Sequence, residues 1–232
     1  MAKERTLAAI LEVGIVPIVR CDSSRQAIEA AKAIYRGGLR ALEVTMTVPG
    51  AIRVLEKVAD EFGDRVILGA GTVLDPETAR ICMLAGAEFI VTPSLNVRTI
   101  EMCRRYSKAI LPGALTPTEI LTAWDAGADM VKVFPAGNLG GPSYIKALKG
   151  PLPQIHMVPT GGVGLENAAA FLQAGASAIA VGSDLVSKKA LDSGDYEQIT
   201  KLARQFLEVV AQARAPKMPV VEGGKSKAKG RK

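Results

Sequence analysis

Three charged residues stand within or at the end of apolar segments, where they could take part in covalent chemistry. Lys132 lies inside one apolar run, Glu43 interrupts a second, and Arg20 ends a third. Burying a charge costs free energy unless the charge is paired or functional. A lysine in an apolar pocket near an arginine has a lowered pKa, and its neutral amine attacks carbonyl carbons. We therefore predict that Lys132 forms a Schiff base with the carbonyl group of a substrate while Glu43 transfers protons.

An internal repeat indicates the elements that position these residues. A glycine followed by a short apolar segment recurs at Gly38, Gly86, Gly127 and Gly175, which lie 48, 41 and 48 residues apart. A glycine suits the left-handed end of a helix, so each copy predicts a helix end followed by a strand. Between the copies lie four more apolar runs, at 15–20, 66–73, 109–115 and 156–162.

Eight such strands alternate with amphipathic segments, for example Ala27–Tyr35, Ala51–Phe62, Glu77–Ala85 and Glu166–Gln173. Strict alternation of short strands and helices predicts an α/β fold with a parallel sheet. Eight units in about 200 residues favour a (β/α)₈ TIM barrel over the alternative, a doubly wound open sheet. A helix before the first strand is predicted to close the bottom of the barrel.

Side chains on a barrel strand alternate between the interior and the surrounding helices. If the valines beside Lys132 face the helices, Lys132 and Phe134 face the interior. The same alternation turns Glu43 and Thr45 inward, and Thr45 is predicted to bind the substrate. Catalytic residues of barrel enzymes gather at the carboxyl ends of the strands, where Arg20 also lies. The alternative is a buried lysine–glutamate ion pair that only specifies packing.

Two glycine-containing turns are candidates for binding a phosphate. Thr160, Gly161 and Gly162 end the predicted seventh strand, and Gly182 and Ser183 end the eighth. The loops after these two strands form the usual phosphate site of such barrels, because glycine lets backbone N–H groups approach the anion closely. The alternative is a pair of tight turns that need glycine only for their geometry.

Two further residues are expected near the same rim. Thr72 ends the predicted third strand and presents a hydroxyl there. Pro93 follows the fourth strand, where it either shapes the mouth of the site or belongs to an ordinary turn.

The basic character of the chain comes from its end. The segment from Ala215 to Lys232 has six basic residues and one acidic residue, and so carries five of the six net positive charges. We predict one domain at 1–214 and a flexible, disordered Lys/Gly-rich tail at 215–232, with no specific nucleic-acid partner.

The remaining composition excludes several classes of protein. The single histidine, His156, argues against a histidine-dependent triad or a multi-histidine metal centre. The three scattered cysteines, Cys21, Cys82 and Cys103, suggest reduced thiols. Charges at the N-terminus and the lack of an apolar run of about 20 residues argue against a signal peptide and a membrane span. We expect a cytoplasmic protein without metal, cofactor or membrane partner.

Five motifs taken together resemble one enzyme family. They are Leu42-Glu43-Val44-Thr45, Gly69-Ala70-Gly71-Thr72-Val73, Lys132-Val133-Phe134-Pro135-Ala136, Pro159-Thr160-Gly161-Gly162-Val163 and Gly182-Ser183. In this order they look like the 2-keto-3-deoxy-6-phosphogluconate aldolases, a family that includes 4-hydroxy-2-oxoglutarate aldolases. The resemblance implies a metal-free class I aldolase, typically a homotrimer, that splits a phosphorylated 2-keto acid into pyruvate and glyceraldehyde 3-phosphate.

The resemblance also implies roles for individual residues. Lys132 matches the Schiff-base lysine, Glu43 the general acid/base and Thr72 the pyruvate-binding threonine. Phe134 and Pro93 match residues that line the pocket. The phosphate end is matched by Thr160, Gly161, Gly162, Gly182 and Ser183.

One position departs from the pattern of many members. They have an arginine for the substrate carboxylate where this chain has Thr47. Other members carry an arginine at the end of the first strand, so Arg20 is expected to bind the carboxylate.

Three alternatives remain open at this point. An aldolase acting on the galactonate epimer would use the same mechanism. A phosphate-binding isomerase or epimerase would use Glu43 as a base without a covalent lysine. A catalytically silent scaffold would retain Lys132 only as a charge in the core.

Overall fold

The structure, a computed structural model, describes residues 2–215 as parallel strands that alternate with helices. The strands are β1 (Ile15–Val19), β2 (Ala41–Thr45), β3 (Ile67–Gly71), β4 (Phe89–Val91), β5 (Ala109–Leu111), β6 (Gly113–Ala114), β7 (Val131–Val133), β8 (Met157–Pro159) and β9 (Ile179–Val181). The helices are α1 (Ala2–Val13), α2 (Ser24–Arg36), α3 (Ala51–Phe62), α4 (Pro76–Leu84), α5 (Val97–Arg105), α6 (Pro117–Asp125), α7 (Pro142–Lys149), α8 (Ala168–Gln173), α9 (Lys188–Ser193) and α10 (Tyr196–Arg214). The tail predicted at 215–232 lies, apart from Ala215, outside the described residues.

The strands form two sheets in which every pairing is parallel. One sheet has the order β5-β4-β3-β2-β1-β9, and the other has the order β6-β7-β8. A single parallel bridge joins Thr160, just after β8, to Ala180 in β9. The α/β class and the parallel sheet predicted from the sequence are thus confirmed.

One predicted strand is divided in two. The run at 109–115 gives β5 and β6, which are separated by Pro112. Proline has no backbone N–H, so it cannot donate to a neighbouring strand. Its carbonyl is still used, because Lys132 N–H donates to Pro112 O at 2.9 Å. The next strand along the chain, β7, which contains Lys132, is therefore the sixth of the eight predicted strands.

Alternate residues of the strands pack into two separate apolar clusters. The inner cluster contains Val16 and Ile18 of β1, Phe89 of β4, Leu111 of β5 and Val158 of β8, with members from the other long strands. The outer cluster contains the opposite faces of the strands together with the helices. This is the period-2 pattern of a curled sheet that is covered on its outside by helices.

Helix α1 covers one end of the inner cluster. Ile10 is fully buried there, and Leu7 and Leu11 pack beside it. Lys3 pairs with Asp129 at 2.8 Å, which ties α1 to the segment before β7. The helix predicted to close the amino-terminal ends of the strands is therefore present.

Several helices begin at residues whose side chains cap them. Asp75 accepts from the N–H of Thr78, and Asp195 accepts from that of Gln198. Thr116 forms a capping box with Glu119. These side chains satisfy N–H groups that the first helical turn leaves unpaired. No helix within residues 2–215 is both long and apolar enough to span a bilayer.

Arg214 fastens the last helix to the amino-terminal end of the sheet. Its guanidinium donates to Leu11 O at 2.6 Å, to Glu12 O at 3.0 Å and to Ser177 O. Gly14 leaves room for this group, because a Cβ there would lie 2.4 Å from the guanidinium carbon.

We expect Arg214→Ala to lower the free energy of unfolding by about 1–2 kcal/mol, because it removes charge-assisted hydrogen bonds to three carbonyls. Urea denaturation measures the change. The control is Arg204→Ala, which truncates an exposed arginine of the same helix. An equal loss in both variants would contradict a specific role for Arg214.

Candidate active site

A cavity of about 420 Å³ opens at the carboxyl ends of the strands. Ten of the twelve site residues predicted from the sequence line it: Arg20, Thr72, Pro93, Lys132, Phe134, Thr160, Gly161, Gly162, Gly182 and Ser183. The other two, Glu43 and Thr45, are buried behind its wall. These residues come from seven different strand ends, which is how a barrel assembles a site from distant parts of a chain.

Lys132 is held in the middle of β7, which pairs with a strand on each side. Its side chain is 5 % exposed, and Nζ lies 5.1 Å from the centroid of the Phe134 ring. Burial lowers the pKa of Lys132, and the charge of Arg20 lowers it further, while Glu43 acts in the opposite direction. The result is an amine that is more readily neutral than an ordinary lysine, as a nucleophile requires.

Glu43 is a buried carboxyl group without a hydrogen-bond partner. Its side chain is 1 % exposed, and neither oxygen meets a donor among the described residues. Burial raises the pKa of Glu43, whereas the positive charges of Lys132 and Arg20 lower it. Buried polar groups are nearly always paired, so an unpaired carboxyl beside a lysine suggests a role in proton transfer.

The room for Glu43 comes from a neighbouring strand. Gly71 of β3 pairs with Thr45 of β2, and a Cβ on Gly71 would lie 2.4 Å from Glu43 Oε1. Any other residue at position 71 would therefore push the carboxyl away from its place. The end of β3 therefore makes room for Glu43 through Gly71 and also carries Thr72, the next residue.

Thr72 has an unusual backbone conformation at the rim of the cavity. Its φ is +58°, a region that β-branched residues rarely adopt. Its hydroxyl oxygen lies 3.5 Å from Arg20 Nη2. Residues held in such conformations cluster at functional sites, where the surrounding structure maintains them.

Thr45 does not line the cavity. Its side chain is fully buried, and its hydroxyl contacts Val19 O at 3.3 Å and the Thr47 hydroxyl at 2.8 Å. The role of Thr45 in substrate binding stays a prediction.

The two glycine turns follow β8 and β9, which the Thr160–Ala180 bridge joins, and both line the cavity. Gly161 and Gly162 have φ values of +84° and +71°, so glycine is needed there for backbone geometry. Gly137, in the short 3₁₀ turn Gly137–Leu139 after β7, donates to Gly161 O at 2.9 Å. Gly182 differs, since an added Cβ would meet only Ile18 at 4.0 Å. Backbone geometry does not explain a glycine at 182, which keeps the cavity wall open.

The sequence analysis missed part of the cavity wall. Asp22, Asp184 and Lys188 also line it. Asp22 lies two residues after Arg20, and Asp184 directly follows Ser183, so their positions after β1 and β9 could have pointed to them. Cys21 lines the cavity as well, and burial raises its pKa to about 12, which fits a passive thiol.

Comparison with known proteins places the chain in a family. The family model described as "KDPG and KHG aldolase" matches residues 7–202. KDPG stands for 2-keto-3-deoxy-6-phosphogluconate and KHG for 4-hydroxy-2-oxoglutarate. The 2-dehydro-3-deoxy-phosphogluconate aldolase of Treponema pallidum is 36 % identical over 87 % of this chain and 96 % of its own length. The KHG/KDPG aldolase of Escherichia coli is 35 % identical over 86 % of this chain and 94 % of that protein.

Solved structures give the same result. The KDPG aldolase of Legionella pneumophila, with pyruvate captured as a covalent carbinolamine intermediate, superposes with a TM-score of 0.80 at 28 % identity. The alignment covers 86 % of this chain and 96 % of that one. The sequence and the fold agree that this chain belongs to the KDPG and KHG aldolase family.

Proposed function

We propose that the protein is a class I aldolase that cleaves 2-keto-3-deoxy-6-phosphogluconate to pyruvate and glyceraldehyde 3-phosphate. The same chemistry would cleave 4-hydroxy-2-oxoglutarate to pyruvate and glyoxylate. The observation that carries the proposal is the buried Lys132 amine beside the unpaired carboxyl of Glu43. Membership of an aldolase family favours this reaction over a non-covalent isomerase or a silent scaffold.

The reaction follows from these two groups. The neutral amine of Lys132 adds to the C2 carbonyl, and Glu43 donates the proton with which the hydroxyl leaves as water. Glu43 then takes the proton of the C4 hydroxyl as the C3–C4 bond breaks, and the bonding electrons move into an enamine on Lys132. The aldehyde leaves, C3 of the enamine is protonated, and water hydrolyses the resulting imine to pyruvate and free lysine.

The rest of the cavity supplies binding. Arg20 would pair with the substrate carboxylate. In support, its guanidinium lines the cavity and lies 3.5 Å from the Thr72 hydroxyl. Pro93 and Phe134 form an apolar wall. Backbone N–H groups of the turns at 160–162 and 182–183 would hold the phosphate.

We also infer that the two sheets are parts of one closed (β/α)₈ barrel. β5 and β6 are separated only by Pro112, and the Thr160–Ala180 bridge links β8 to β9. Reading β5 and β6 as one interrupted strand gives eight strands around the inner apolar cluster. The barrel domain would extend over 1–214, and its free buried cysteines fit the reducing cytoplasm.

Exposed apolar side chains support assembly into a homotrimer. Ile81 and Leu84 of α4 are 50 % and 69 % exposed, and Leu121 and Trp124 of α6 are 41 % and 43 % exposed. Each pair is three residues apart and therefore lies on one helix face. We propose that these faces are buried between copies of the chain.

Trapping with a reductant tests the covalent step. Borohydride added with pyruvate should attach a reduced three-carbon group to Lys132, found by peptide mass spectrometry. Lys149 is an internal control, because burial lowers its pKa too, yet its amine donates to Pro153 O and Ile155 O outside the cavity.

Lys132→Met should abolish turnover while leaving the circular dichroism spectrum unchanged. An unmodified Lys132 in the wild type would contradict the proposal, and inhibition by chelators would indicate a metal-dependent aldolase.

Glu43→Gln should lower kcat by about 10²–10⁴-fold, because the amide cannot transfer protons. The negative charge of Glu43 raises the pKa of Lys132, so its removal should lower that pKa further below the ordinary lysine value. The pH midpoint for adduct formation with pyruvate and cyanoborohydride should therefore move to lower pH in the variant. A midpoint that stays in place or moves upward would argue against electrostatic contact between the two groups.

Leu84→Glu should dissociate the assembly, because it places a charge in an apolar interface. Light scattering after size exclusion should give about three times the 24.4 kDa chain mass for the wild type and a smaller mass for the variant. Lys201→Glu, an exposed charge reversal on α10, is the control. A wild-type mass of one chain would refute the trimer.

A further inference from the structure

The outer part of the cavity carries a pair of opposite charges that the proposed reaction leaves unused. Lys188, the first residue of α9, and Asp22, after β1, both line the cavity that contains Gly161, Gly162 and Ser183. Lys188 Nζ lies 2.7 Å from Asp22 Oδ2. The two side chains are 74 % and 77 % exposed, so the pair is held only weakly.

The charges around the cavity make this pair informative. Among the described residues that line it, the cations are Arg20, Lys132 and Lys188, and the anions are Asp22 and Asp184. Arg20 and Lys132 serve the keto-acid end. A phosphate dianion at the glycine turns would therefore share the cavity with two carboxylates, and Lys188 is the remaining cation that lines it. Without Lys188, only backbone N–H groups would bind the phosphate against the repulsion of the two carboxylates.

We propose that Lys188 is a specificity-determining residue that exchanges Asp22 for the substrate phosphate and so selects phosphorylated over unphosphorylated keto acids. The exchange costs little, because both side chains are already in water before it occurs. It brings a charge-assisted hydrogen bond to the phosphate in place of one to a carboxylate. Asp22 holds the ammonium at the rim when the cavity is free.

The ammonium is available over the working range of pH. Hydrogen bonding to Asp22 raises the pKa of Lys188, and the nearby charges of Asp192 and Asp22 raise it further. Asp192 Oδ2 lies 3.6 Å from Nζ, one helical turn along α9. The ammonium of Lys188 therefore has a second carboxylate within ion-pair distance.

The inference rests on the proposed aldolase function and concerns only its choice of substrate. Lys188→Met should raise KM for 2-keto-3-deoxy-6-phosphogluconate by about 10-fold, the effect of losing one charge-assisted contact to phosphate. It should leave kcat unchanged, and it should leave kcat/KM for unphosphorylated 4-hydroxy-2-oxoglutarate unchanged. Lys188→Arg should keep most of the preference for the phosphorylated substrate that Lys188→Met loses. Asp22→Asn should lower KM for the phosphorylated substrate.

Three readouts separate the possible failures. Equal effects of Lys188→Met on both substrates, or no effect on either, would overturn the role of Lys188. Isothermal titration with inorganic phosphate tests the same role without turnover, and binding that is equally strong in the wild type and in Lys188→Met would also overturn it. Absence of the pyruvate adduct on Lys132 in the wild type would instead remove the proposed function, while the phosphate titration would still decide the role of Lys188.

Discussion

The desolvation of one amine is the constraint on which the site depends. An ammonium group in water resists deprotonation, and burial of Lys132 between two paired strands removes much of that hydration. Two charged groups from other strands act on the buried amine. Glu43 raises its pKa and so favours the ammonium, whereas Arg20 lowers its pKa and favours the neutral amine. Because β7 is paired on both sides, the backbone of Lys132 is fixed, and its side chain starts from a buried position in the sheet. Position and reactivity therefore have the same cause.

The curled sheet separates stability from chemistry along its length. Towards the amino-terminal ends of the strands, the inner face is apolar and is covered by α1 through residues such as Ile10. Arg214 binds carbonyls at that same end. Towards the carboxyl ends, the inward positions carry Lys132, Glu43 and Thr72 instead. A lysine and a carboxyl that would destabilise an apolar core are tolerated because the other end of the structure supplies the packing.

Periodicity and turn chemistry predicted most of the fold, since both act over a few residues. The eight strand segments and the caps at Asp75 and Thr116 follow from such local rules. The division of the fifth strand at Pro112 follows from the missing N–H and could have been anticipated. Inward orientation alone did not bring Thr45 to the cavity, because neighbouring backbone covers its hydroxyl. The Lys188–Asp22 pair joins residues 166 positions apart, which no local pattern encodes.

Under the proposed function, one cavity binds both a carboxylate and a phosphate, and the nucleophilic role proposed for Lys132 limits how these two sites can be combined. Each cation placed near the amine lowers the pKa of the amine, which helps it to attack a carbonyl. The same cation also lowers the pKa of Glu43, which favours the carboxylate and makes Glu43 less available as a proton donor. Arg20 already acts on both groups. A second fixed cation at the phosphate end would add to this field. An exposed lysine neutralised by its own carboxylate avoids the problem, because the pair has little net charge until a phosphate arrives with charge of its own. The proposed role of the glycine turns meets the same requirement, since backbone N–H groups would bind an anion without adding a full charge beside Lys132.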